Sequence, residues 1–353
     1  MTVLDPAPLR RILDGEHAEV RNRIRAILEQ PALAPPPPDI PRDEYRERVY
    51  ALAKSLAEQG ETGIAYPPEY GGQSAVGASI AAFETMAFGD LSLVVKFGVQ
   101  FGLWGGAVLH LGTKKHHDRY LHDISTLKLP GCFAMSESFH GSNVQHVQTT
   151  ATYEEGGFTI HTPDEHARKD YIGNAACHGR MAAVFCQLEV GGEQRGVHCL
   201  VVPIRDEDGR PCPGVTIEDC GHKLGLNGVD NGRLAFDHVR VERDALLDRY
   251  ATVSEDGVYE SPIENPDKRF FTMLGTLIQG RVSVGGAAIS VAKVASTIAI
   301  RHALKRRQFG PPGSEDEVLL LDYRTHQRRL LPDLATTYAL HFAQAESVAT
   351  THR

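Results

Sequence analysis

Among its 353 residues the chain has only six cysteines, Cys132, Cys177, Cys186, Cys199, Cys212 and Cys220, and no two of them stand at the two-residue spacing of a metal or redox pair. They read as reduced thiols, which points to a cytoplasmic protein. Positive charge is also scarce: the formal net charge is −8 and no lysine-arginine block interrupts it, which argues against a nucleic-acid surface. The longest apolar runs are broken well short of a membrane span, so no membrane partner is expected. The start, Met1-Thr2-Val3-Leu4-Asp5, lacks a basic and apolar leader, and Thr351-His352-Arg353 is not a peroxisomal address. No phosphate-binding loop and no G-x-S-x-G elbow occurs, and the 17 histidines, His161 and His166 among them, fall in no zinc pattern, so no metal is expected.

What is present divides the chain by its period. Residues 1–129 are mostly helical: Leu9, Ile12, His17, Val20, Ile24 and Ile27 fall on one face of a first helix, Asp43 to Gln59 form another, and Ser79 to Leu111 read as two buried apolar helices. Between them, Ala34 to Asp39 make a stiff extended linker, and Tyr66 to Gly72 a loop. In residues 130–255 the period changes to two. Ala182 to Val190 and Gly196 to Val202 join across Gly191-Gly192-Glu193-Gln194, and Thr149 to Thr162 predict a hairpin turning at Glu155-Gly156-Gly157. In residues 266–353 two helices are expected. Phe270, Leu274, Leu277, Val284, Ala288, Val291, Ala295 and Ile298 form the stripe of the first, and the second starts near Glu317. Two amphipathic helices make a poor domain, because each stripe needs covering on more than one side.

Gly131 to Val144, reading GCFAMSESFHGSNV, is a strand leading into a Gly-Ser turn. Such a strand end can offer the Ser136 hydroxyl and nearby backbone N–H groups to a heterocycle with several polar atoms on one rim. Ser136-Glu137 followed by Phe139-His140-Gly141-Ser142 resembles the hallmark of the acyl-CoA dehydrogenase and oxidase superfamily, a Thr-Glu pair followed by Gly-His-Gly-Ser. Further matches follow in family order: Tyr66-Pro67-Pro68-Glu69-Tyr70-Gly71-Gly72, Leu111-Gly112-Thr113, Pro203-Ile204-Arg205-Asp206, Val229-Asp230-Asn231-Gly232, Phe236-Asp237-His238-Val239-Arg240-Val241 and Arg306-Arg307-Gln308-Phe309-Gly310. Within the superfamily the chain is most similar to the acyl-CoA oxidases.

The resemblance implies an α+β multidomain fold: a helical N-terminal domain, a central antiparallel β-barrel or sandwich, and the start of a C-terminal helical bundle. It implies FAD as cofactor, with Ser136, Gly173, Ser142 and Arg306 as its contacts, and a fatty acyl-CoA as substrate, near Arg281 and Ser142. Arg306 would reach the FAD of a neighbour across a homodimer. The implied reaction is α,β-dehydrogenation to the trans-2-enoyl-CoA with electrons passed to oxygen. Transfer to an electron-transfer flavoprotein is the alternative. Glu137 is declined as the base because adjacent strand residues face opposite sides. The family base is a glutamate expected beyond Arg353, and the other family position, just before Arg281, is Gly280. No residue of the chain is therefore assigned as catalytic. Truncation, completion by a second polypeptide, and an inert binding or scaffold subunit stay open, with truncation favoured by the uncovered stripes.

Overall fold

The computed structural model describes residues 5–351, so the readings of the chain's two ends lie outside the described residues. In chain order the helices are α1 (Ala7–Asp14), α2 (Ala18–Leu28), α3 (Arg42–Glu58), α4 (Val76–Met86), α5 (Leu91–Phe97), α6 (Gly105–Leu111), α7 (Lys114–Ser125), α8 (Pro266–Met273), α9 (Ile278–Ala303) and α10 (Arg324–Thr350). A π-helical stretch, Gly98–Trp104, joins α5 to α6. The strands are β1 (Gly131–Ala134), β2 (Thr150–Glu154), β3 (Gly157–His161), β4 (Lys169–Ile172), β5 (Met181–Val190), β6 (Glu193–Pro203), β7 (Val215–Asp219), β8 (Gly232–Phe236), β9 (Val239–Glu242), β10 (Thr252–Val253) and β11 (Tyr259–Glu260).

These elements form two compact units. One comprises Pro36–Ala75 and Leu91–Gly280, and the other comprises Val76–Asp90 with the described parts of Met1–Pro35 and Arg281–Arg353. In the first unit a sheet runs β1-β5-β2-β3-β9 with β6 added on β5, and a second runs β4-β8-β7. Both expected hairpins are present. Glu155 and Gly156 turn β2 into β3 at φ 48° and 75°, and Gly191 and Gly192 turn β5 into β6 at 63° and 78°. Positive φ at both central residues is what a two-residue hairpin turn requires. The antiparallel expectation is modified at one place: β1 and β2 each pair parallel to β5, so the sheet is mixed. Phe158, Val184, Leu200, Leu234 and Phe236 fill the core against the sheet. Trp104 packs so closely beneath β1 that a side chain on Gly131 would meet its indole at 2.5 Å.

In the second unit three expectations are corrected. The first helix is two helices, because Gly15 breaks the run at φ 57°; Leu9 and Ile12 are exposed, whereas Ile24 and Ile27 are buried. The last helix starts at Arg324, since Val318 and Leu320 donate backbone N–H groups to Phe309 and Arg306 and hold the preceding segment as a loop. On α9 the packed face is Ser283, Gly286, Ala287 and Ser290, not the stripe of large residues. Val284 and Ile298, at 61% and 64% exposed, face outward. Small residues let a neighbour approach closely: a side chain on Gly286 would lie 2.2 Å from Glu84 of α4.

The expectation about apolar runs is also corrected. Leu91–Leu111 and Pro266–Ala303 are both long and apolar enough to cross a membrane; 72% of the apolar window is buried in the first and 17% in the second.

Candidate functional site

Past the end of β1 the chain continues as an irregular edge beside β4. Asp170 donates its N–H to the Ser136 carbonyl at 3.1 Å, Ser138 donates to Arg168 at 2.9 Å, and Phe139 donates to His166 at 3.2 Å. The Ser136 hydroxyl donates to the Asp170 carbonyl at 3.3 Å, a long bond that a rotatable hydroxyl can exchange. This pairing sets Ser136 beside the strand that ends at Ile172 and leads straight into Gly173.

Glu137 points the other way, as strand alternation dictates. Its carboxylate is buried and accepts from the Gln148 and Thr149 N–H groups at 2.7 and 2.9 Å, the Thr149 hydroxyl at 2.7 Å and the Lys169 ammonium at 3.0 Å. Lys169 also donates to the carbonyls of Met135 and Phe185, and its burial lowers its pKa. With its oxygens engaged in this way, Glu137 braces the sheet beneath Ser136.

Gly173 lies against the π-helical stretch. A side chain there would stand 2.8 Å from the Val99 Cγ2, so the close approach requires glycine. On either side Tyr171 and Asn174 adopt left-handed backbone, φ 57° and 67°, which non-glycine residues seldom hold. The Tyr171 ring is exposed. Asn174, by contrast, is buried in a polar cluster with Lys96 and Asp230. The lysine was the missed signal, a cation inside the apolar run Leu91-Ser92-Leu93-Val94-Val95-Lys96-Phe97 that had to find an anion.

Ser142 sits on the exposed turn after Phe139. Among the described residues nothing pairs with its hydroxyl or with the backbone N–H groups of Gly141 and Ser142. Ser136, Gly173 and Ser142 thus belong to one unit. Arg281 and Arg306 belong to the other. Arg281 is exposed on α9 with no ion pair among the described residues, and Arg306 is exposed beyond the end of α9, where its guanidinium donates to the Gln308 side chain at 3.2 Å. A separate surface cluster, His161, Asp237 and His238, brings potential ligand atoms within 4.8 Å of one another. Its two imidazoles stack at 4.1 Å with planes 29° apart, and the Asp237 carboxylate lies 2.7 Å from the His238 Nδ1.

These parts define a class, the acyl-CoA dehydrogenase architecture of helical domain, sheet domain and helical bundle. The chain matches the acyl-CoA dehydrogenase N-terminal domain over residues 14–128, the acyl-CoA dehydrogenase middle domain over 132–239, and the acyl-CoA oxidase C-alpha1 domain over 274–353. It belongs to the acyl-CoA oxidase family. It is 44% identical over 342 residues to acyl-coenzyme A oxidase 2, peroxisomal, of Arabidopsis thaliana, which covers 93% of this chain and 48% of that protein. The crystal structure of acyl-coA oxidase1 from Yarrowia lipolytica aligns over 98% of this chain and 49% of its own with a TM-score of 0.86 at 32% identity. Acyl-CoA oxidase-2 of Caenorhabditis elegans, bound with FAD, ascaroside-CoA and ATP, aligns over 98% of this chain and 51% of its own, with a TM-score of 0.82 at 26% identity. The chain spans about half the length of the curated relatives it matches. The relatives' names also overturn the cytoplasmic expectation, since they are called peroxisomal. Reduced thiols do not distinguish the two compartments.

Proposed function

We propose that this chain is the flavin-seating part of a peroxisomal acyl-CoA oxidase, which converts a fatty acyl-CoA and oxygen to the trans-2-enoyl-CoA and hydrogen peroxide. The observation that carries the reading is the Ser136–Asp170 pairing on the rim that continues into Gly173, within a chain that matches this family in all three of its parts. The rim's donor set fits FAD: a hydroxyl at Ser136 held by one long bond, unpaired N–H groups and a hydroxyl at Gly141 and Ser142, and a side-chain-free backbone at Gly173 beside the exposed Tyr171 ring. FAD, when bound, supplies the acceptor for the substrate's β-hydrogen, which leaves as hydride.

The chain's own residues bind and orient. Ser136 would donate to a polar atom of the flavin's pyrimidine end, where negative charge develops, and a preorganised donor there lowers the barrier. Ser142 would serve the pyrophosphate and the substrate's pantetheine. Arg281, exposed and without an anionic partner among the described residues, suits an acyl-CoA oxygen or phosphate. Arg306, with its planar fork committed among the described residues only to Gln308, suits a phosphate of a second copy's FAD in a homodimer. The α-proton needs a carboxylate base, and we place it outside these 353 residues, because Glu137 is saturated and Gly280 occupies the family's other position.

The test is peroxide release when a fatty acyl-CoA is added to the FAD-loaded protein. This chain alone should bind FAD without releasing peroxide, and the protein completed by the base-bearing segment should release it. Flavin reduction by acyl-CoA with no oxygen consumed would reject the oxidase reading.

A further inference from the structure

We propose that Lys96, Asp230 and Asn174 form a clamp that fixes the Gly173 backbone in the shape the cofactor requires, making them positioning residues for the flavin. The inference rests on the oxidase reading above and extends it to residues that touch neither cofactor nor substrate. The segment from Tyr171 to His178 leaves the sheet at Ile172 with two non-glycine residues at positive φ. Such backbone persists only where its surroundings over-determine it.

Here they do. Asn174 donates its amide to the Gly131 carbonyl at 2.8 Å, which ties the segment to the first residue of β1. Its amide oxygen accepts from the Lys96 ammonium at 2.9 Å. Lys96 also bonds Asp230 at 2.6 Å and the His178 Nδ1 at 2.9 Å, so all three ammonium protons are used. The second Asp230 oxygen accepts the backbone N–H groups of Cys177 and His178, both at 3.0 Å. Gly173 therefore lies next to a clamped residue, in a segment gripped at Asn174 and again at Cys177 and His178. His178 is steadied further by Glu47 at 2.9 Å and by the stacked Tyr50 ring at 4.2 Å.

The chemistry of the clamp argues for positioning. Lys96 is 2% exposed and Asp230 0%, and a buried ion pair rarely adds more stability than apolar residues of the same size. What it does add is direction, since each proton and lone pair specifies where one loop atom must be. Burial works to raise the Asp230 pKa, but the Lys96 ammonium holds it well below the usual carboxylate range, so the aspartate stays ionised and the clamp closed.

The test uses Asn174→Gly in the 353-residue chain. Glycine accepts the left-handed backbone, and the change leaves Lys96 with Asp230 and His178, so no charge is stranded. A charge-neutral pair, Lys96→Met with Asp230→Asn, is the second variant; if it does not fold, Asn174→Gly alone decides. Amide hydrogen exchange is followed without flavin, and FAD affinity by flavin fluorescence. Exchange across residues 171–178 should rise while β5 and β6 keep their protection, and FAD should bind roughly tenfold more weakly. Unchanged exchange, exchange that rises equally throughout the sheet, or faster local exchange with unchanged FAD affinity would each overturn the proposal. If exchange rises locally but the unsubstituted chain binds no FAD, the oxidase reading fails and the cofactor role falls with it.

Discussion

The rim around Ser136 and Gly173 and the outer face of α9 treat their chemistry in opposite ways. At the rim, charged groups are taken fully out of water and each is answered within its own unit: Glu137 by Lys169 and Thr149, Asp230 by Lys96 and two backbone amides. On α9 the small residues are packed and large apolar ones, Val284 and Ile298, remain in solvent. The first region is specified by contacts inside this chain. The second presents a surface that nothing among the described residues covers.

The comparison breaks most readily at the rim. Lys96→Ala leaves Asp230 buried without its cation and should cost about 3–5 kcal/mol, read as a fall in the denaturation midpoint. In the other unit the packed face of α9 is the sensitive one. Gly286→Val drives its side chain into Glu84, which holds Arg21 at 2.8 Å and Gln344 at 2.6 Å, and should cost about 1–3 kcal/mol in the same measurement.

Acid sharpens the contrast. Buried His198 is paired with the Gly196 carbonyl and the Tyr259 hydroxyl, and burial pushes its pKa down to about 4 from 6.5. The unfolded chain then takes up a proton at a pH where the folded chain does not. Its contribution is complete above pH 6.5 and is lost as pH falls toward 4. Denaturation midpoints across that window should decline, and His198→Gln should flatten the decline. The smallest effect belongs to the open face: Val284→Gln with Ile298→Gln should shift chain stability by no more than about 0.5 kcal/mol. A loss of several kcal/mol would mean that this face is buried after all.

The same contrast governs what could be read from sequence. Both hairpins were legible because Gly191-Gly192 and Glu155-Gly156 fall between alternating runs, a local signal. The Ser136 and Gly173 segments were legible as family motifs. The clamp was not, because Lys96 and Asp230 are 134 residues apart and only the folded sheet brings them together. The packed face of α9 was misread because periodicity counts large apolar side chains, whereas close helix approach selects Gly286, Ala287 and Ser290. The break at Gly15 was missed because Leu9 and Ile12 keep helical spacing with Ile24 and Ile27 across it.

The most direct measurement is a titration of the flavin-free chain with FAD, followed by flavin fluorescence, repeated for Ser136→Ala and Gly173→Val. The account predicts saturable binding, weakened by about 0.5–1.5 kcal/mol when the Ser136 hydroxyl is removed and weakened further when a side chain at position 173 is forced against Val99. Absence of binding, or binding indifferent to both substitutions, would contradict it.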